Sequence, residues 1–249
     1  MIKPDQNECS RTLKGKRIIL LGGTSGVGFA TAEAAAREGA SVVVVSSRKE
    51  RVDAAISRLP HGAEGYSADL TNEDEIRELF DQIGEFDHLV FTAGESLQVE
   101  SLSAMDVDAA RRSFNLRYWG AFMAAKYGSR NMRQGGSITL TSGAAGARPQ
   151  KGLTVAASIC GAIEALTRAL AVELGPLRVN AVCLGLMRTE LWDGIPEQDR
   201  NAMYENVGKN LPVGRVGEPE DAAEAYLYFI REKYSTGQIV VVDGGSTLV

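Results

Sequence analysis

The sequence predicts an α/β fold in which a doubly wound sheet of seven mainly parallel strands carries helices on both faces. Two observations lead to this prediction. Short apolar runs alternate with longer segments of helical period almost to the end of the 249 residues, and this alternation is typical of a parallel sheet with crossover helices. A glycine-rich turn also follows the first apolar run and precedes the first helical segment, as in many sheets of this kind.

The individual elements follow from the same two periodicities. Buried strands are predicted for the runs 17–22, 41–46, 64–68, 88–93, 137–142, 178–184 and 238–243. Helices are predicted between them at 27–37, 50–59, 72–83, about 103–132, 154–174 and 219–232. The connections are short and leave no room for an interdomain linker.

The chain is therefore expected to form one domain over 17–249, preceded by a polar N-terminal tail over 1–16. Residues 187–219 are the one long, irregular insertion, and they follow the carboxyl end of a predicted strand. Ligands bind at that edge of an open parallel sheet, so this insertion is predicted to be a substrate lid.

Composition excludes several classes of function. The formal net charge is -5, with 27 Lys and Arg against 32 Asp and Glu, so neither nucleic acid nor an anionic membrane is an expected partner. No apolar run in the sequence suggests a membrane span or a secretion signal, and a cytoplasmic location is expected. Cys9, Cys160 and Cys183 are too few and too far apart for a disulfide framework or a metal site, and we expect free thiols and no metal.

The glycine turn predicts a dinucleotide site. Gly22, Gly26 and Gly28 lie directly after the first strand and at the start of the first helix. Glycines there permit a tight turn and a close approach of the backbone to phosphate, and the helix N-terminus offers amide groups to a pyrophosphate. The alternative is a turn that only allows the helix to pack on the strand.

The end of the second strand favours NADP(H) over NAD(H). It carries no acid that would bind both adenosine ribose hydroxyls, but instead Ser46, Ser47 and Arg48, which suit a 2′-phosphate. Alternatively, Arg48 is a solvent-exposed residue at the end of the strand without a role in binding. Asp69 follows the third strand and is positioned to accept from the adenine amine, although it equally suits a helix N-cap.

Eight ordered motifs resemble the short-chain dehydrogenase/reductase family over nearly the whole chain. They are the glycine turn, FTAG at 91–94, FNLRYWGAF with Asn115, GSITLTSGAAG, RALAVEL, RVNAVCLGLMRTEL, GRVGEPEDAA and VVDGG. The resemblance implies one Rossmann-like domain, a nicotinamide cofactor, and homotetramers or homodimers formed through helices about 103–132 and 154–174. It also implies cofactor contacts from Gly22, Thr24, Ser25, Gly26, Val27, Gly28, Ser47, Arg48, Asp69, Leu70, Ala93, Gly94 and Thr189.

The family's catalytic Ser, Tyr and Lys are missing at the positions that the resemblance assigns to them. Counting back from the LAVEL motif puts the Lys position at Cys160, the Tyr position at Ala156 and the Ser position at Gly143. A slip of one residue would bring in Ser142 and Val155, again without Tyr or Lys. Of the family's catalytic set only Asn115 remains, and loss of a positioned general acid typically lowers a rate by about 10² to 10⁴.

Arg117 is the leading candidate for a replacement group, since a guanidinium on the neighbouring helix could bind a ribose hydroxyl, a phosphate or an anionic substrate. The alternative is an interface residue paired with a carboxylate such as Glu164. Cys160 is either a reactive thiol or, with apolar neighbours and no evident cation, an inert one. Further candidates for a replacement acid are Tyr118, Arg148, Lys151, Glu190, Trp192 and Asp193. Of these, Tyr118 is more typical of a core or interface aromatic residue. His61 and His88, on a turn and at a strand start, are assigned no chemistry.

Three functions remain open. The first is an NADP(H)-dependent oxidoreductase acting on an activated acceptor such as an iminium, which needs no proton on oxygen; this is similar to fungal alkaloid enzymes of the family that lack the Tyr and Lys. The second is an enzyme without redox turnover, whose pocket shapes a cyclisation or elimination. The third is a catalytically inactive NADP(H)-binding protein that serves as a sensor or scaffold.

Overall fold

All seven strands lie in one sheet in the order β3-β2-β1-β4-β5-β6-β7. The computed structural model describes residues 12–60, 62–97 and 99–249. The strands are β1 (Arg17–Leu21), β2 (Ser41–Ser46), β3 (Glu64–Ser67), β4 (Phe86–Phe91), β5 (Met132–Gly143), β6 (Arg178–Leu184) and β7 (Ile239–Val242). Every pairing between neighbours is parallel. The predicted fold class, a doubly wound sheet with helices on both faces, is confirmed.

Two hydrophobic cores hold the helices against the two faces of this sheet. The helices are α1 (Gly26–Arg37), α2 (Lys49–Arg58), α3 (Glu73–Ile83), α4 (Val107–Phe114), α5 (Ala121–Gly128), α6 (Thr154–Glu173), α7 (Glu197–Asn210) and α8 (Pro219–Arg231). Helices α3, α5 and α6 contribute to one core and α1, α2 and α8 to the other. The middle strands are buried on both faces, which explains their continuous apolar runs.

The predicted helix over 103–132 is wrong in its continuity. It begins at Val107, because the Asp106 side chain accepts from the Asp108 N–H and caps the first turn. A π-helical turn over Asn115–Gly120 then separates α4 from α5, and the 3-10 turn Ser129–Asn131 leads into β5. Strand β5 consequently starts at Met132, five residues before the predicted position 137.

The segment 187–219 contains regular structure and is not the irregular insertion that its sequence predicts. Met187 and Gly217 form a parallel bridge at its base, the Arg188 N–H donates to the Gly217 carbonyl at 2.8 Å, and α7 lies between them. A Cβ at Gly217 would lie 2.3 Å from the Met187 sulfur, so a larger residue there would force the end of the Met187 side chain to move.

Two further expectations need correction. Helix α6 is long and apolar enough, by length and composition, to cross a membrane, contrary to the expectation that no segment is; it packs Ile159, Ile163 and Leu166 into the core.

Within the predicted tail, Leu13 is buried and its N–H donates to the Glu38 carbonyl at 3.0 Å. Residues 1–11, which include Cys9, and His61 lie outside the described ranges.

Candidate active site

The glycine turn brings β1, β4 and α1 into close contact at the carboxyl edge of the sheet. Gly22 has a φ of +90°, and a Cβ there would lie 2.5 Å from the Ala93 nitrogen. A Cβ at Gly28 would lie 2.2 Å from the Gly22 carbonyl oxygen and 2.4 Å from Oγ1 of Thr92. Only glycine fits at either position, because the turn packs directly against the backbone and side chain of Thr92 and Ala93 and against itself.

The N-terminal end of α1 is open to an anion. Ser25 precedes the helix without a side-chain capping hydrogen bond, and the first turn contains no acidic residue. Uncapped amide groups and the positive end of the helix dipole favour a phosphate here. Thr24, Val27 and Gly28 belong to the same turn, so the predicted pyrophosphate contacts lie together.

The ends of β2 and β3 carry the residues predicted to bind the adenosine half. Ser47 and Arg48 are exposed; Lys49 beside them pairs with Asp53 at 3.0 Å, whereas no ion pair within the described ranges involves Arg48. Asp69 accepts from the Thr71 N–H and hydroxyl at 2.9 and 2.8 Å. The cap of α3 is Asn72, so the alternative interpretation of Asp69 as a helix N-cap is wrong.

The start of the segment 187–219 reaches the glycine turn. Cγ2 of Thr189 would lie 3.2 Å, and a carboxylate oxygen of Glu190 3.3 Å, from a Cβ at Gly26. A cavity of about 380 Å³ opens behind this contact, between α1, the segment 187–219 and α8. Its lining includes Phe29 and Tyr204 and two of the further candidates, Glu190 and Asp193, but neither Asn115 nor Arg117.

The three positions that the resemblance assigns to the family's Ser, Tyr and Lys lie where β5 ends and α6 begins. Gly143 closes β5, and Ala156 and Cys160 lie one helical turn apart in α6. A Cβ at Gly143 would lie 3.2 Å from Sγ of Cys160, so the thiol occupies space next to a missing side chain. The neighbouring Ser142 is buried and donates to Oε1 of Glu164 at 3.0 Å.

Cys160 is held as a neutral thiol. Burial raises its pKa, and the negative charge of Glu164 acts in the same direction. Hydrogen bonds from Gly143 and Ser142 and the positive charge of Arg117 act against this rise without overcoming it. The sequence shows no cation beside Cys160, but the fold brings Arg117 near it; a nucleophilic thiolate is nevertheless disfavoured.

Arg117 points into the loop after β4. Its guanidinium would lie 2.7 Å from a Cβ at Gly94, one of its nitrogens donates to the Glu95 carbonyl, and its Nε lies 3.6 Å from Oε1 of Glu95. Glu164, the carboxylate given as an example for the interface alternative, is instead bonded to Ser142, and the interface alternative itself stays a prediction. Asn115 opens the π turn, is exposed and forms no hydrogen bond through its side chain in the described ranges; its catalytic role stays a prediction.

The remaining candidates are less closely tied to the cleft. Trp119 is 49% exposed and packs edge-on against Tyr118 at 5.1 Å between ring centroids. Arg148 donates to the Ser246 carbonyl at 3.0 Å, and Asp193 pairs with Arg200. Glu95 was missed by sequence reasoning, because nothing in its local pattern indicates that an arginine 22 residues later reaches its backbone. No group of three His, Cys, Asp or Glu residues suited to a metal occurs in the described part of the chain.

A seven-stranded parallel sheet with this glycine turn defines the class of dinucleotide-binding α/β proteins. A family model described as enoyl-(acyl carrier protein) reductase matches residues 22–247. The short-chain dehydrogenase/reductase ATR9 of Stachybotrys chlorohalonatus is 40% identical over 252 residues, covering 95% of this chain and 99% of that protein. The chain therefore belongs to the short-chain dehydrogenase/reductase family, as its motifs predict.

Two solved structures extend this relationship. A small-chain dehydrogenase in complex with NADPH has a TM-score of 0.83 and 39% identity, with 94% of this chain and 99% of that chain covered. The MalC reductase/Diels-Alderase of Malbranchea aurantiaca has a TM-score of 0.89 and 29% identity, with 96% and 99% covered. The chain thus belongs to an oxidoreductase family that uses a nicotinamide cofactor and small-molecule substrates and often forms oligomers.

Proposed function

We propose that this protein is an NADP(H)-binding oxidoreductase with a non-standard active site, which reduces an activated C=O or C=N substrate. The proposal rests on a contrast between two parts of one cleft, the part that would bind the dinucleotide and the part that would carry the acid-base residues. The glycine turn keeps Gly22, Gly26 and Gly28 between the first strand and the first helix, as a dinucleotide site requires, while the positions assigned to the family's Tyr and Lys hold Ala156 and Cys160. Cofactor binding is therefore retained and acid-base chemistry is changed.

The choice of NADP(H) rests on the end of β2. Arg48 is exposed beside Ser47, and a guanidinium without an ion-pair partner in the described ranges can bind a 2′-phosphate with charge-assisted hydrogen bonds. An acid that would repel this phosphate is absent between Ser46 and Arg48. The relative solved with NADPH supports the same choice.

The reactive end favours an acceptor that needs no proton on oxygen. A bound nicotinamide supplies hydride chemistry, and the protein's part is to bind, orient and exclude water. The thiol of Cys160 is a poor proton donor because its pKa is raised by burial, and Ala156 has no proton to give. An iminium carbon accepts hydride without such a donor, whereas an ordinary ketone requires one.

Arg117 supplies a positive charge near the position that the resemblance assigns to the family's lysine. We propose that its guanidinium contacts the bound cofactor or substrate from the side of β4, where its hydrogen bond to the Glu95 carbonyl holds it. The segment 187–219, which meets Gly26 through Thr189, serves in this proposal as the substrate lid of the single domain.

The cofactor proposal is tested by titrating NADPH and NADH while following nicotinamide fluorescence. We expect NADPH to bind more tightly than NADH. Arg48→Ala should weaken NADPH by roughly 10- to 100-fold and leave NADH unchanged, because only the contact to the 2′-phosphate is lost. Arg51→Ala, another exposed arginine three residues later, is the matched control. Absence of binding by either cofactor would contradict the proposal.

Turnover is tested by following NADPH oxidation with ketones, aldehydes, quinones and cyclic iminium ions. The expected result is oxidation with iminium or similarly activated acceptors and little with simple ketones. Reduction of simple ketones at ordinary family rates would refute the non-standard site. Binding without oxidation of any acceptor would favour an inactive sensor or scaffold.

A second candidate is a cyclisation without redox turnover. This second function is supported by the structural similarity to a protein described as a reductase/Diels-Alderase, since a Diels-Alder reaction forms a ring without redox chemistry. Product formation from a diene and dienophile without consumption of NADPH would select this function over the first.

Oligomers are the last part of the proposal. Helix α6 exposes Val172 and the π turn exposes Trp119, so we propose that α4, α5 and α6 form the subunit interface of a homotetramer or homodimer. Light scattering of the intact protein tests it: Trp119→Glu should shift the mass toward the monomer, and an unchanged mass would contradict this interface.

A further inference from the structure

The three glycines of the turn face different surroundings. Gly22 and Gly28 face the turn itself and the loop after β4, where a Cβ at either position would meet backbone atoms within 2.5 Å. Gly26 is the first residue of α1, and a Cβ there would instead meet Thr189 and Glu190, which follow β6. Because the amide groups at a helix N-terminus bind phosphate, these two residues approach the end of α1 where the pyrophosphate is proposed to bind.

An acidic side chain therefore lies where an anion is proposed to bind. One carboxylate oxygen of Glu190 lies 3.3 Å from the position that a Cβ at Gly26 would take. The first turn of α1 contains no acid of its own and has no side-chain cap, and a negative charge at a helix N-terminus is stabilising. Glu190 thus supplies, from another segment, the negative charge that the start of α1 lacks.

The chain on both sides of Glu190 is held in place, whereas its side chain is not. Arg188 pairs with Glu218 at 3.2 Å, and Asp193 pairs with Arg200. Glu190 itself is exposed, and no ion pair or side-chain hydrogen bond within residues 12–60, 62–97 and 99–249 involves it. The segment therefore places the carboxylate at the end of α1, and the side chain can rotate away without breaking a hydrogen bond or an ion pair.

The cavity of about 380 Å³ gives this side chain a place to move to. Its lining includes Glu190 and Arg58. The Arg58 guanidinium lies 4.0 Å from the centroid of the Phe29 ring and forms no ion pair in the part of the chain that the structure describes. A pyrophosphate at α1 would bring like charges next to the Glu190 carboxylate, and this repulsion favours withdrawal of the carboxylate toward the side of the cavity that carries Arg58.

We infer that Glu190 competes with the cofactor's pyrophosphate for the N-terminus of α1. Its carboxylate occupies this end of the helix and must withdraw when the dinucleotide binds, so it lowers cofactor affinity and couples cofactor binding to a movement in the segment 187–219. This inference rests on the proposed binding of NADP(H), and it gives Glu190 a role other than that of a replacement acid.

The test compares NADPH with adenosine 2′-monophosphate, a fragment without the pyrophosphate, by calorimetric titration of the intact protein. Glu190→Gln removes the charge with little change in shape. We expect it to bind NADPH about fivefold more tightly than the wild type at about 0.05 M salt, and to bind the fragment with unchanged affinity. The gain should shrink at about 0.5 M salt, because salt screens the repulsion between exposed charges.

The matched control is Glu197→Gln, an exposed glutamate that lines the same cavity and should leave both affinities unchanged. An equal gain in this variant, or an equal gain for the fragment, would assign the effect to net charge and overturn the inference. NADPH affinity of Glu190→Gln within about twofold of the wild-type value, or below it, would show that the carboxylate does not compete with the pyrophosphate. A gain that salt leaves unchanged would assign it to packing.

Failure of the proposed function has a different signature. Wild-type protein that binds neither NADPH nor NADH would refute the dinucleotide site itself. Wild-type protein that binds NADPH, together with a Glu190→Gln variant of the same affinity, would leave the proposed function intact and refute only the role of Glu190.

Discussion

The two edges of the sheet differ in how completely their polar groups are bonded. At the amino edge, the buried carboxylate of Asp87 accepts from Lys16 and from the Arg17 N–H, each at 2.9 Å, and from Arg133 at 3.2 Å. The next residue, His88, is buried and shares a hydrogen bond of 2.8 Å with Ser137. Every one of these groups has a partner within the protein.

At the carboxyl edge two polar features lack such partners among the described residues. The exposed Arg48 forms no ion pair, and the N-terminus of α1 has no side-chain cap. Gly22 and Gly28 there pack so closely against neighbouring atoms that no side chain fits in the turn. A network satisfied from within stabilises the fold, whereas groups left open are available to a ligand. We therefore expect mutations at the amino edge to change stability alone and mutations at the carboxyl edge to change binding.

Asp87→Ala should give the largest effect on stability. The substitution leaves the half-exposed Lys16 and Arg133 and the Arg17 N–H without their buried acceptor, and losing these hydrogen bonds to a charged group should cost about 3 kcal/mol. Urea denaturation measures the free energy of unfolding, and NADPH affinity should be unchanged. The control is Asp53→Ala, which removes an exposed pair with Lys49 and should cost less than about 0.5 kcal/mol. A loss of NADPH binding in folded Asp87→Ala would erase the distinction between the two edges.

His88 should make the amino edge sensitive to acid. Burial lowers the pKa of His88 to about 4, against a partial opposing effect of the Asp87 charge. The unfolded chain, with an ordinary pKa near 6.5, binds a proton first, so stability is complete above about pH 6.5 and is lost as the pH falls toward 4. The loss should approach roughly 3 kcal/mol. Urea denaturation between pH 7.5 and 4.5 measures it.

The matched control for this pH effect is His88→Gln, which cannot titrate but can still bond to Ser137. Its free energy of unfolding should fall less steeply between pH 6.5 and 4.5 than that of the wild type. Equal slopes would assign the acid sensitivity to other groups. Asp87 does not contribute to the difference between the two proteins in this pH range. Its burial raises its pKa, but hydrogen bonds from Arg17 and Lys16 outweigh this and lower the pKa, so Asp87 protonates only in stronger acid.

Gly28→Ala should act mainly on binding. The added Cβ would meet the Gly22 carbonyl oxygen at 2.2 Å, so the turn must shift where the proposed pyrophosphate would bind. We expect NADPH affinity to fall by at least about tenfold, with a loss of stability of about 2 kcal/mol from overpacking. Gly161→Ala is the control, since nothing lies within 4 Å of its Cβ and helix propensity favours alanine there. Equal NADPH affinity in both variants would contradict a dinucleotide at this turn.

The sequence predicts the sheet well because its information is local. The run SVVVVS corresponds to β2 without change, and α6 ends within one residue of its prediction. The break between α4 and α5 was not predicted, since a π turn adds one residue without any glycine or proline before Gly120 to mark it. This turn sets the direction of Arg117.

The candidate site is predicted unevenly for the same reason. Gly22, Gly26 and Gly28 are close in sequence and belong to one motif, so their joint role can be inferred from spacing. The contact of Arg117 with Gly94 and Glu95 joins positions 22 or more residues apart, and no periodicity encodes it. The charge of Arg117 near Cys160 likewise appears only when α6 is packed beside the π turn.

The smallest expected effect concerns the thiol of Cys160, and it tests whether the carboxyl edge is electrostatically organised. Burial and Glu164 raise the thiol pKa while Arg117 lowers it. The pH profile of iodoacetamide alkylation, followed at the Cys160 peptide by mass spectrometry, should have a midpoint above that of an ordinary thiol. Arg117→Gln should move this midpoint further up and Glu164→Gln should move it down, changing the alkylation rate at pH 8 by about twofold in opposite directions. Since accessibility alone would alter the rate without moving the midpoint, shifts of equal sign in the two variants would contradict the arrangement of charges around Cys160.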